Sequence, residues 1–260
     1  MSPLNESMYM DSFFELVRSD VDLQNINARY KNDNTLVTDI DLRINELFHL
    51  HCKKFKLDIP IISEESLDSW GSLGSFPCFV IDPVDGTKEL AQGRPDWSVS
   101  IAYLNSINIG DKLNRGWVYQ PSKDKLYGES SIDLLHQYNR EKPRLLVSRT
   151  EFKSGAFENI AEKFDVEVVE MGSIALKLGK LCLGECDLVI TTKPKSLWDI
   201  AGGLALLSKT GGSFYQGAPI QEISVFQSEL TYNSPMLFGN KKFLEVGFAI
   251  VNHLSSKGKA

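Results

Sequence analysis

The sequence predicts two halves of different style, an α+β half over residues 1–142 followed by an α/β half over 143–260. Three observations predict it. The first half holds short apolar runs such as Phe79-Val80-Ile81 and then strands joined by a tight turn. The second half alternates strand and helix patterns, the mark of an α/β layer. Between them, His136-Gln137-Tyr138-Asn139-Arg140-Glu141-Lys142-Pro143 carries little apolar surface and ends in proline, which places a boundary near 142.

In chain order, Met10, Phe13, Phe14 and Val17 recur at i, i+3, i+4, i+7 and predict an amphipathic N-terminal helix. Ile40, Ile44, Leu47, Phe48 and His51 keep that period from about 39 to 56, with Thr38 placed as N-cap. Pro60-Ile61-Ile62 reads as a buried strand ending at Ser63. Phe79-Val80-Ile81 is a second strand, expected to be cut off by Asp82-Pro83. Trp97, Val99, Ile101 and Tyr103 alternate as a half-buried strand should, and Asn108-Ile109-Gly110-Asp111 is a loop. Gly116-Trp117-Val118-Tyr119 and Lys125-Leu126-Tyr127 flank a Pro121-Ser122-Lys123-Asp124 turn, so this region reads as an antiparallel meander. Beyond the boundary the pattern gives strand 144–148, helix 154–163, strand 166–169, helix 174–183, strand 188–191 and helix 200–210. No segment repeats, and the lysine-bearing tail 255–260 is expected to fray.

At 260 residues, 42% hydrophobic and 24% charged, the chain has the balance of a globular protein with a substantial core. A net charge of −6 gives no diffuse positive field, which argues against nucleic-acid polymers as partners. A small anionic substrate therefore needs local attraction, from metal ions or clustered backbone N–H groups. Cys52, Cys78, Cys182 and Cys186 contain no CxxC pair, and the N-terminal segment lacks the basic and apolar regions of a signal peptide. Reduced thiols and a cytoplasmic location are expected. No apolar run reaches the roughly 18 residues of a membrane span.

The segment Ile81-Asp82-Pro83-Val84-Asp85-Gly86-Thr87-Lys88-Glu89 is the most informative. A hydrophobic strand delivers two aspartates into a proline-stiffened turn, followed by a glycine that allows close approach and a threonine at a helix start. Mg²⁺ prefers oxygen ligands and takes one or two carboxylates plus substrate oxygens, which two aspartates three apart can provide. The N–H groups of Gly86 and Thr87 could then hold a phosphate. The ordinary alternative is an Asx turn and a helix cap. Ser63-Glu64-Glu65-Ser66 ends another apolar strand with two adjacent carboxylates, which repel when buried unless a cation separates them. Asp199 lies at the start of a helix whose first turn is built of small residues, and Asp41 completes a capping-box pattern with Thr38; caps are the commoner use of both.

Taken together, Lys31, then Val37-Thr38-Asp39-Ile40-Asp41, Ser63-Glu64-Glu65-Ser66, Asp82 to Glu89 and Trp198-Asp199-Ile200-Ala201-Gly202 resemble the inositol monophosphatase superfamily in order and spacing. Met171-Gly172-Ser173 with Lys177, and Gly184-Glu185-Cys186-Asp187, look like its second half. Thr87-Lys88-Glu89 is most similar to the 3'(2'),5'-bisphosphate nucleotidase branch, although Leu90 stands where that branch commonly has phenylalanine.

The resemblance implies a layered α-β-α-β-α sandwich with one site between the halves, and two or three magnesium ions. Asp82 would bridge two ions, Glu64 and the Val84 carbonyl completing one and Asp85 and Asp199 the other, with Asp41 near a weaker third. Catalysis would then fall to Glu64, Thr87 and Asp41, and substrate contacts to Gly86, Thr87, Lys88, Ser173, Lys177 and Asp199. The implied substrate is a small phosphorylated metabolite, adenosine 3',5'-bisphosphate cleaved at its 3'-phosphate, with Lys88 and Lys177 neutralising the second phosphate. An inositol monophosphatase or broad sugar-phosphate phosphatase is the alternative. A catalytically inactive binding protein of the same fold is the third reading, disfavoured because every acidic position the mechanism needs is occupied. Lithium inhibition and a homodimer are further family traits.

Several motifs point elsewhere only weakly. His49 and His51 are two apart on a helix and so diverge, which disfavours a zinc pair. Cys182 and Cys186 read as buried thiols. Gly71-Ser72-Leu73-Gly74 lacks the context of a phosphate loop and reads as a surface turn, with Trp70 beside it as a lid or loop-packing residue.

Overall fold

The computed structural model describes residues 3–23, 26–32, 34–69, 73–132 and 140–257. Trp70, Gly71 and Ser72 of the expected surface turn, and most of the polar boundary segment, lie outside them. Helix α1 (Pro3–Asp20) buries Met10, Phe13, Phe14 and Val17, as their spacing predicts. An antiparallel ribbon of β1 (Ala28–Tyr30) and β2 (Leu36–Thr38) leads into α2 (Asp39–Lys54). Thr38 caps α2, and the Asp41 carboxylate accepts the Thr38 N–H, closing the capping box. Phe13 meets Phe48 edge-on at 5.1 Å and ties α1 to α2.

The first sheet runs β3 (Ile61–Ser63), β4 (Cys78–Asp85), β5 (Ser98–Leu104), β6 (Arg115–Gln120) and β7 (Lys125–Tyr127), in that order across the sheet. The short α3 (Thr87–Ala91) follows β4, and α4 (Glu129–Ile132) follows β7. β3 and β4 are parallel, and β6 with β7 forms the expected antiparallel meander. β4 does not end at Asp82-Pro83. Its pairing with β5 steps from Asp82↔Ser100 to Asp85↔Ser98, a bulge that absorbs a proline with no N–H to give the ladder. Nor is β5 half-buried: almost every residue is covered. Val99 and Ile101 pack with α1 and α2, while Ala102 and Leu104 join a cluster built largely from the second half.

The second sheet contains three parallel strands, β8 (Arg144–Ser148), β9 (Glu167–Met171) and β10 (Leu188–Thr191). Helices α5 (Arg149–Lys153) and α6 (Ile160–Phe164) replace the single helix expected over 154–163, because Gly155 and Asn159 take positive φ and turn the chain between them. Helix α7 (Ile174–Cys182) follows β9. β11 (Lys195–Ser196) introduces α8 (Leu197–Lys209), which begins three residues earlier than its apolar pattern suggested. β12 (Ser213–Gln216), β13 (Gln221–Glu222) and β15 (Met236–Gly239) extend the sheet antiparallel, and β14 (Thr231–Tyr232) pairs with β11. Helix α9 (Leu244–Lys257) continues through residues expected to fray; 258–260 lie outside the described residues.

Three apolar clusters define the layers. One joins α1 and α2 to the first sheet, one places α7 and α8 between the sheets, and one sets α6 and α9 on the far face of the second sheet. The order is therefore α-β-α-β-α. The central contact is unusually close: a Cβ on Gly116 of β6 would sit 2.1 Å from the Gly202 carbonyl of α8. One on Gly202 would meet Ser100 Oγ at 2.8 Å and the Ile101 carbonyl at 2.9 Å.

Candidate active site

That contact brings the start of α8 against the end of β4. Asp82, Asp85 and Asp199 each offer a carboxylate oxygen, and these atoms lie within 4.8 Å of one another. Within the β4 bulge, Asp82 Oδ1 accepts the Val84 N–H at 3.0 Å, an Asx turn. Asp85 is held from the other half: its Oδ2 accepts Ser173 Oγ and the Ala175 N–H, both at 2.6 Å, at the N-terminus of α7. Gly86 then takes φ +96°, the left-handed turn by which β4 enters α3. Asp199 stands at the third helical position rather than at the cap: Ser196 is the N-cap, and its N–H donates to Asp199 Oδ2 at 2.8 Å.

Glu64 begins the short 3-10 helix (Glu64–Ser69) that follows β3 and lies close enough to Asp82 and Asp199 to interact electrostatically with both. Lys31 Nζ lies 4.0 Å from Glu64 and 2.6 Å from Glu65, so it relieves the adjacent acidic pair. Burial, then the Asp199 charge, pushes the Glu64 carboxyl well up. Burial and the charges of Glu64, Asp85 and Asp199 do the same to Asp82, and burial raises Asp199 as well, partly offset by Lys195. Asp41 is pushed to about 6, again by burial, against hydrogen bonds from Thr38. Thr87 Oγ1 sits 3.0 Å from both Asp41 Oδ1 and the Val84 carbonyl, linking α2 to the acidic turn. Such an all-oxygen donor set suits a hard divalent cation.

A cavity of about 150 Å³ opens beside Asp85 and Gly86, walled by Ser148, Ser173, Lys177 and Lys195 among others. It lies at the carboxyl ends of β8, β9 and β10, where open α/β sheets bind their ligands. Two expected substrate contacts behave differently there. Lys177 is 2% exposed and directs its ammonium at the carbonyls of Gly172 (2.8 Å), Ser173 (3.1 Å) and Met171 (3.4 Å). Burial lowers its pKa to about 8. Lys88 is exposed on α3 and does not line the cavity.

Sequence reasoning missed Lys195 and Arg149. Arg149 donates to Glu89 at 3.1 Å, pairs with Asp96, and lies 3.7 Å from Glu170, bridging the halves beside the cavity. No local pattern marks either residue: the partners of Arg149 come from distant segments, and Lys195 gains its place only from the cavity that folds around it. The remaining candidates are structural: His51 is buried with Nε2 2.9 Å from the Tyr9 carbonyl, and all four cysteines are free and buried. Among the described residues no helix is long and apolar enough to cross a membrane.

Five alternating layers, with an acidic cluster and a strand-end cavity at their centre, define the class of layered phosphate-ester hydrolases. The chain belongs to the inositol monophosphatase family, whose profile matches residues 9–237. It is a phosphoric monoester hydrolase. A 3'(2'),5'-bisphosphate nucleotidase from Buchnera aphidicola is 28% identical over 200 residues, 72% of this chain and 73% of the relative. A fructose-1,6-bisphosphatase/inositol-1-monophosphatase from Thermotoga maritima is 27% identical over 228 residues, 82% of this chain and 85% of the relative. A solved IMPase structure from Thermotoga maritima shares the fold, with a TM-score of 0.74 over 99% of both chains at 21% identity.

Proposed function

We propose that this chain is a magnesium-dependent phosphomonoesterase that removes the 3'-phosphate of adenosine 3',5'-bisphosphate. The observation that carries it is the convergence of Asp82, Asp85 and Asp199 beside the strand-end cavity. Residues 1–142 would supply most ligands and 143–260 would supply Asp199 and substrate contacts. Glu64, Asp82, the Val84 carbonyl, Asp85 and Asp199 would hold two magnesium ions, and Asp41 would lie near a third. Bound Mg²⁺ lowers the pKa of a water and neutralises charge on the phosphoryl group.

The chain's own groups do the rest. Glu64 and the Thr87 hydroxyl orient the attacking water. Asp41 accepts the hydrogen bond that fixes that hydroxyl. The Gly86 and Thr87 N–H groups donate to phosphate oxygens, and Ser173 keeps Asp85 in place. A nucleotide substrate is supported by the bisphosphate nucleotidase relatives and by Thr87-Lys88-Glu89. The wider coverage of the Thermotoga relative favours a second reading, an inositol- or sugar-phosphate phosphatase. The test is kcat/KM on adenosine 3',5'-bisphosphate, inositol 1-phosphate and fructose 1,6-bisphosphate, with and without Mg²⁺. The expected result is a metal-dependent preference for the nucleotide; preference for inositol 1-phosphate replaces the first reading with the second.

A further inference from the structure

We propose that Lys195 recognises a second anionic group on the substrate, making the enzyme selective for small metabolites that carry two phosphates. This rests on the site proposed above and names the group that sets its selectivity. The cations near the cavity differ in what they have left to offer. Lys177 has its ammonium turned to three backbone carbonyls, and Arg149 is engaged by Glu89, Asp96 and Glu170. Lys195 is half-buried, lines the cavity, and has no hydrogen bond or ion pair within 4 Å among the described residues. A half-buried ammonium that donates to no protein acceptor, and feels Asp199 only from beyond ion-pair distance, keeps a desolvation cost that an incoming anion removes.

Its placement is fixed by the backbone. Lys195 pairs with Tyr232 in the β11–β14 ribbon, four residues before Asp199, and so stands on the same cavity as Asp85. Ser148, at the carboxyl end of β8, and Thr150 share that wall; the Ser148 hydroxyl makes no capping bond to α5. An ammonium and two hydroxyls lining one cavity can together supply the several donors a non-reacting phosphate needs. The reacting phosphate would lie at Asp85 and Gly86, and the second at Lys195.

The experiment compares wild type, Lys195→Met and Lys195→Arg on two substrate pairs: adenosine 3',5'-bisphosphate with adenosine 3'-phosphate, and fructose 1,6-bisphosphate with fructose 1-phosphate. The readout is the ratio of kcat/KM for the doubly over the singly phosphorylated member. In Lys195→Met the ratio falls about tenfold for whichever pair wild type prefers, and Lys195→Arg keeps most of it. A wild-type ratio near one in both pairs overturns the proposal. So does a Lys195→Met enzyme that slows equally on both members, since Lys195 would then act only through the field it exerts at Asp199. The substrate proposal fails separately, if the fructose pair shows the advantage and the adenosine pair does not.

Discussion

Asp85 belongs to two structures at once: it joins the acidic cluster, and its Oδ2 accepts two bonds from the first turn of α7. An asparagine there keeps an amide oxygen for Ser173 and Ala175 but removes one negative charge. Asp85→Asn is therefore expected to lose more than about 100-fold in kcat/KM. Its metal-free melting temperature should not fall, because a source of repulsion has gone. Wild-type turnover at saturating Mg²⁺ would remove Asp85 from the mechanism. The acidic turn was legible because a short apolar strand, a proline and a glycine mark it locally. Lys195 and Arg149 were not, since a lone basic residue acquires meaning only from what folds next to it. Lys177 was legible only in part: its spacing after Ser173 is visible, but the three carbonyls that accept its hydrogen bonds are not.

Among the elements, α8 sets the geometry of the acidic cluster through its backbone contact with β5 and β6. Gly202 has no room for a methyl group, since Ser100 Oγ, the Ile101 carbonyl and the Trp117 carbonyl surround the position at 2.8 to 3.1 Å. Gly202→Ala must push α8 off the sheet, at a cost of about 1–3 kcal/mol. The expected drop in melting temperature is about 2–4 °C for each of those kcal/mol. Asp199 moves with the helix, so the KM for Mg²⁺ should rise as well. An unchanged KM alongside a lowered melting temperature would show that α8 supports the fold but does not aim Asp199. The small residues at 201–203 were visible in the sequence as a feature of the helix start, while their purpose needed the strand across from them. β5 was misjudged for the same reason. Alternation marks one apolar face, and the helices covering its other face come from residues far along the chain. Pro83 was read as a stop, yet a bulge let the ladder resume at Asp85.

Across the whole molecule, the acidic cluster couples stability to pH and, on the function proposed above, to metal. Burial holds Asp41 at about 6 against an ordinary 3.8, and shifts Glu64, Asp82 and Asp199 in the same direction. The folded, metal-free chain thus binds more protons than the unfolded one across this window. The stabilisation is complete below about pH 4 and is lost as pH rises through about 6 at Asp41, and further up at Glu64. The metal-free melting temperature should fall from about pH 5 to about pH 8, and Mg²⁺ should raise it more at the higher pH, where the carboxylates are already ionised. Thermal melts at both pH values check this; an equal Mg²⁺ increment at each would discount the cluster as the metal site. The layered order was legible only through family resemblance, because apolar periodicity says which face is buried and not what buries it. The division of the acidic groups between the two sheets also bears on synthesis. A nascent chain with only the first sheet outside the ribosome carries Glu64, Asp82 and Asp85 without Asp199 or the α7 turn that steadies Asp85. On the proposed metal site, capture of the ion would wait until α8 has been translated, so an unfinished polypeptide would not begin hydrolysing metabolites before the rest of it exists.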